Sequence, residues 1–165
     1  MSLIKFFANQ LEEEAVSTRK MLAIVPDDKY DWQPHPKSMT IRALAAHVAE
    51  IPGWIGSVIT NDVLDLAKTP YKPKAINNTE ELLNFFDECV EKGKDVLVDA
   101  NESRLNSRWV LRDDHVVYMD LSKAEAIRHS LSQLIHHRAQ LGVFLRLLNI
   151  PIPGVYGPSA DEMGK

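Results

Sequence analysis

Three of the chain's six histidines, His129, His136 and His137, fall in the single stretch "HSLSQLIHHRAQL". A fourth, His47, stands in "IRALAAHVAEIPGW". Neutral imidazole ligates zinc, nickel, copper or iron, and it accepts protons near neutral pH. Ala126, Ser130, Gln133, His137, Leu141, Phe144 and Leu148 step by three or four positions. The C-terminal half of that stripe is apolar, so its backward extension puts Gln133 and His137 on the inward face of a helix. His136 lies about 100° round from His137, on a flank, and His129 sits two turns behind it, about 80° off. Leu44 before His47 and Ile51 after it turn His47 inward on a second helix. Two helices therefore each aim an imidazole at one interior. Side chains four apart on a helix can grip one ion, as in HExxH. Here that pair is Gln133 and His137, and Gln133 offers only a neutral amide oxygen. The residues alone fit two readings: a metal site shared between helices, or core histidines satisfied by hydrogen bonds.

The elements that must position these residues are four amphipathic helices. The first runs from about Ser2 to Val25 on a stripe through Ile4, Phe7, Leu11, Ala15, Thr18 and Leu22, and Pro26 stops it. "DWQPHPKSMT" reads as an extended connection. Thr40 caps the second helix, inside which Pro52 removes a backbone donor, so a kink is expected near Ala49 to Ile51. "KTPYKPKAINN" is a loop, and Asn78 with Glu81 opens a third helix carrying Leu82, Phe86, Cys89, Gly93 and Val96. "RWVLRDDHVVYMD" alternates and predicts a short β-hairpin or extended excursion near 109–119. Ser122 and Glu125 form a capping box for the fourth helix, which ends near Leu148 before "NIPIPG". The expected fold is all-α, a four-helix bundle with long crossover connections, in one domain over 1–165.

Composition narrows the function. Hydrophobic residues make up 45%, charged residues 25%, and the formal net charge is −4. These values fit an ordinary globular domain, and no basic stripe marks a nucleic-acid surface. No apolar run approaches a membrane span. The first residues lack a signal-peptide pattern, and a single cysteine, Cys89, excludes an intrachain disulfide. A cytoplasmic protein is expected.

The motifs "DWQPHPKSMT", "IRALAAHVAEIPGW", "HHRAQLGVFLRLL" and "NIPIPGVYGPSADE", in that order over nearly the whole chain, resemble the DinB-like family, which is related to metalloenzymes of the YfiT type. The resemblance implies helices in an unusual order with a long crossover. It implies a three-histidine divalent-metal site, often nickel or zinc, with waters completing the shell. His47 matches the ligand from the second helix, and His137 matches the second member of an H-x-x-x-H pair on the fourth. The first member falls on Gln133 where relatives carry histidine. Three outcomes follow: a metal held by His47, Gln133 and His137; His129 substituting for the missing ligand; or a metal-free site in which Gln133 hydrogen-bonds an imidazole.

The resemblance also implies an activity class. A metal-dependent hydrolase or a thiol-dependent S-transferase using a low-molecular-weight thiol is expected, as is a homodimer with Trp54 or Phe85 at its interface. The alternative is a non-catalytic small-molecule-binding or stress-response protein. Nucleic-acid binding is not expected from an acidic chain. Among the remaining residues, Arg138 is expected to pair with a carboxylate on a neighbouring helix, Tyr156 and Pro158 to pack the tail, and Cys89 to be buried. His35 is expected on the surface, and Glu12, Glu13 and Glu14 on a solvated face.

Overall fold

Each long helix opens on a side-chain cap, because the first backbone N–H groups of a helix have no partner within it. In the computed structural model, which describes residues 2–164, Ser2 Oγ accepts from Lys5 N at 3.4 Å and Thr40 Oγ1 from Ala43 N at 3.2 Å. Asn78 Oδ1 accepts from Glu81 N at 2.8 Å, and Ser122 Oγ from Glu125 N at 3.2 Å. The helices they start are α1 (Leu3–Leu22), α2 (Ile41–Thr60), α3 (Thr79–Val96) and α4 (Lys123–Leu147). The capping box at Ser122 and Glu125 is complete. Pro26 stands just before a single 3₁₀ turn, Asp27–Lys29.

The fold is predominantly helical. α2 packs mainly on α3 and α4, and α1 packs on the same two helices, so consecutive α1 and α2 are not the main neighbours. The α2–α3 connection, by contrast, joins two helices that pack directly on each other. The apolar stripes meet in two clusters. One gathers Leu22, Leu44, Val48, Phe86, Leu134 and Leu141; the other gathers Phe7, Leu11, Ile55, Ile59, Trp109 and Leu131. α2 contributes to both.

A small sheet closes one side. The expected hairpin forms from β2 (Arg108–Asp113) and β3 (Val116–Ser122), antiparallel, with a register shift at Leu111/Arg112. An all-α fold is thus incomplete as a description. A third strand, β1 (Val63–Asp65), pairs in parallel with β2 and gives the order β1-β2-β3. Asp65 fastens it, since Oδ1 accepts from the backbone N–H of Asp114, the hairpin turn residue with φ 50°, and Oδ2 pairs with Arg112.

α2 stays helical through Pro52. Its close neighbour is Gly93 of α3, where a Cβ would lie 2.7 Å from the Pro52 carbonyl oxygen. Only a residue without a side chain fits that approach. At the far end of α2 the fully buried Lys123 Nζ donates to Ile59 O at 2.9 Å and Asn61 O at 3.0 Å, and pairs with Asp62 at 2.8 Å. A cation there satisfies carbonyls that a helix end leaves open and complements its negative dipole end.

One surface expectation fails. Glu12 and Glu13 are exposed, but Glu14 is 2% exposed. It lies three residues after Leu11 and four before Thr18, on the buried stripe, and its charge is met by Arg138.

Candidate functional site

His47 projects from the middle of α2 and His137 from the middle of α4, and both are half-buried. Their ring centroids are 4.6 Å apart with planes at 74°. The two helices that sequence periodicity pointed at one another do bring their imidazoles together. Trp54, two turns along α2, packs edge-on to His47 at 5.3 Å, and the exposed His136 ring stands 4.8 Å from His137.

Each ring of the pair is held by an acceptor one helical turn further on. His47 Nδ1 lies 2.8 Å from Glu50 Oε1, and His137 Nδ1 lies 2.8 Å from Gln140 Oε1. A carboxylate and an amide oxygen are acceptors, so each contact suits an imidazole whose Nδ1–H donates and whose Nε2 stays open. Burial pushes the His137 pKa below its ordinary value; Gln140 opposes this, and the nearby His47 and His136 reinforce it. That direction favours the neutral ring, the state in which a histidine ligates a metal or accepts a proton.

Glu50 has a second partner. The Tyr71 hydroxyl, from the connection between β1 and α3, donates to the same Oε1 at 2.7 Å. Burial and the adjacent carboxylate both push the Tyr71 pKa up, so the phenol keeps its proton. Glu50 and Tyr71 were not among the residues singled out by sequence. The His-x-x-Glu spacing on α2 could have found Glu50, because positions three apart are neighbours on a helix. Tyr71 lies in an exposed loop with no periodicity to reveal it.

Gln133 is occupied elsewhere. Its amide nitrogen makes a long 3.4 Å contact with His129 Nε2, one turn earlier on α4. Among the described residues no three His, Cys, Asp or Glu side chains form a group that could hold a metal ion. The donor chemistry fits a nitrogen-preferring divalent ion at His47 and His137. The Gln133 amide oxygen is a weaker donor for such an ion.

Immediately after His137, Arg138 turns away into a buried network. Its Nη1 pairs with Glu14 Oε2 at 2.7 Å and donates to Thr18 Oγ1 at 3.0 Å. Its Nη2 donates to the Tyr156 hydroxyl at 3.0 Å, which in turn donates to Glu14 Oε1 at 2.7 Å. The expected ion pair thus also holds the Tyr156 hydroxyl, while the rest of Tyr156 and Pro158 stay exposed rather than packed. Cys89 is buried against Gly53, and burial raises its thiol pKa to about 11, which keeps it protonated and unreactive. His35 is exposed in its loop.

The chain has relatives over nearly its whole length. A model of the DinB family matches residues 1–164. The uncharacterized protein YrdA of Bacillus subtilis is 20% identical over 159 residues, covering 96% of this chain and 91% of that protein. A DinB-like protein from Bacillus cereus superposes with a TM-score of 0.68 at 18% identity, covering 91% of this chain and 95% of its own. The DinB-like protein YjoA of Bacillus subtilis gives a TM-score of 0.68 at 15% identity, covering 90% and 96%. At these identities the solved structures are similar in fold.

Proposed function

Because the chain belongs to the DinB family, we propose that it is a divalent-metal-dependent enzyme in which His47 and His137 are the principal ligands and Gln133 the weak third. The observation that supports this is the imidazole pair, 4.6 Å apart, with both Nδ1 atoms tied to acceptors. A ring so fixed needs no reorientation to present Nε2. Nickel or zinc suits imidazole donors. When bound, such an ion lowers the pKa of a water or thiol, or polarises a carbonyl. The chain's own share is to hold the two rings oriented through their Nδ1 partners. Trp54 walls one side of His47, and His136 stands beside His137. The reaction class we favour is thiol-dependent S-transfer with a low-molecular-weight thiol, with metal-dependent hydrolysis as the neighbouring class. We place the protein in the cytoplasm as a homodimer; among the described residues no helix is long and apolar enough to cross a membrane.

A second reading is favoured by one observation, the contact of Gln133 with His129. In it the pocket stays metal-free and binds a small organic molecule. Elemental mass spectrometry separates the two readings, using untagged protein before and after incubation with zinc or nickel. About one ion per chain, lost in His47→Ala and in His137→Ala, supports the enzyme. Wild-type protein that retains no metal after reconstitution selects the second reading.

A further inference from the structure

One oxygen of Glu50 joins two distant parts of the chain. Oε1 faces His47 Nδ1 at 2.8 Å and the Tyr71 hydroxyl at 2.7 Å. The Glu50 side chain is 12% exposed, whereas Tyr71 is 56% exposed. Tyr71 belongs to the connection between β1 and α3, a segment with long exposed runs. A hydrogen bond from an exposed loop to a largely buried carboxylate fastens that loop beside the imidazole pair.

In water a neutral imidazole divides its proton between two nitrogens, and a strong acceptor at one of them selects the tautomer. A carboxylate does this more forcefully than an amide, because the bond is charge-assisted. The two rings are therefore not equivalent: His47 is backed by a charge, and His137 by the Gln140 dipole. We propose that Glu50 and Tyr71 are positioning residues of this site: Glu50 fixes His47 with its proton on Nδ1, and Tyr71 straps the 66–78 connection to the same carboxylate oxygen. The inference rests on the reading of His47 as a functional ligand, but the tautomer it assigns is measurable without any metal.

The experiment uses full-length ¹⁵N-labelled protein and long-range ¹H–¹⁵N spectra of the His47 ring, at about pH 8 where histidine is neutral. Wild type is expected to show one tautomer, Nδ1–H. Glu50→Ala is expected to release the ring to a mixture, and Glu50→Gln, whose amide oxygen still accepts, to restore Nδ1–H. Zinc, used as the probe ion, is expected to bind at least tenfold more weakly to Glu50→Ala, in line with the roughly 10–100-fold losses seen when such orienting partners are removed. Tyr71→Phe is expected to keep the tautomer while amide exchange across 66–78 accelerates by about tenfold or more, as for a segment that opens locally. A His47 ring protonated on Nε2 in wild type, or unchanged in Glu50→Ala, overturns the role of Glu50. Unchanged exchange in Tyr71→Phe overturns the strap. A wild-type protein that takes up no zinc but whose His47 tautomer follows Glu50 retires the metal reading and supports the positioning assignment.

Discussion

Arg138 and Glu14 form an ion pair 2.7 Å long in which each side chain is only 2% exposed. It joins α4 to α1 directly behind the imidazole pair, since Arg138 follows His137 in sequence. Taking two charges out of water is costly, and the attraction offsets this only when both groups are otherwise well bonded. Here Thr18, Tyr156 and Gln10 supply further bonds. Removing one partner leaves a buried charge alone, so Arg138→Met is expected to destabilise the protein by about 3–5 kcal/mol. The double variant Arg138→Met/Glu14→Leu is expected to recover most of that loss. Urea unfolding of the three proteins checks it; a double variant no more stable than Arg138→Met would show that the pair itself is not the source.

The tail is fastened by a second, exposed anchor that depends on pH. Asp161 pairs with Arg146 and accepts from the Ile152 backbone N–H at 3.0 Å. Arg146 and that backbone bond hold its pKa down at about 2. An unfolded aspartate titrates near 3.9, roughly two units higher. The contribution of Asp161 is therefore fully present above about pH 4, and it is lost as pH falls through about 2. The Ile152 amide resonance is expected to titrate with that midpoint, and in Asp161→Asn it is expected to lose this transition.

Much of this architecture is legible in the sequence, and the failures share a cause. The caps at Thr40, Asn78 and Ser122, the hairpin and the facing of His47 and His137 all follow from local spacing. Glu14 does not, because positions 14 and 15 both continue the stripe from Leu11, and what decides between them is an arginine 124 positions away. β1 is three residues long and pairs in parallel with a strand more than forty residues on, so no period reveals it. The contact of Gln133 with His129, by contrast, is within reach of the sequence, because the two stand four apart on one helix. Lys123 carries no local signal of burial, and its role at the end of α2 depends on a contact made across the fold.

Gly93 sets how closely α2 and α3 approach. A Cβ there would lie 2.7 Å from the Pro52 carbonyl oxygen and 3.0 Å from Leu11 Cδ2. The oxygen belongs to backbone and cannot swing aside, so the helices must separate. Gly93→Ala is expected to lower stability by about 1–3 kcal/mol, the usual range for overpacking. That is the opposite of the gain an alanine brings at an unhindered helix position. Thermal unfolding followed by circular dichroism measures the sign. An increase in melting temperature would mean that the α2–α3 contact has slack.

In the proposed metal site Gln133 is the one position that is not histidine, and it stands four residues before His137 on α4. An imidazole there would place two nitrogen donors on one helix face opposite His47, the spacing that lets a helix grip a single ion. Gln133→His also removes the amide that now contacts His129. The variant is expected to bind zinc at least tenfold more tightly than wild type, roughly 1.4 kcal/mol, and to lose that gain when His47→Ala is added. Isothermal titration with zinc on the four combinations of wild type and variant at 133 and 47 reads the coupling. A gain that survives His47→Ala would mean that the new histidine recruits His129 or His136 instead, and that His47 and His137 do not share an ion.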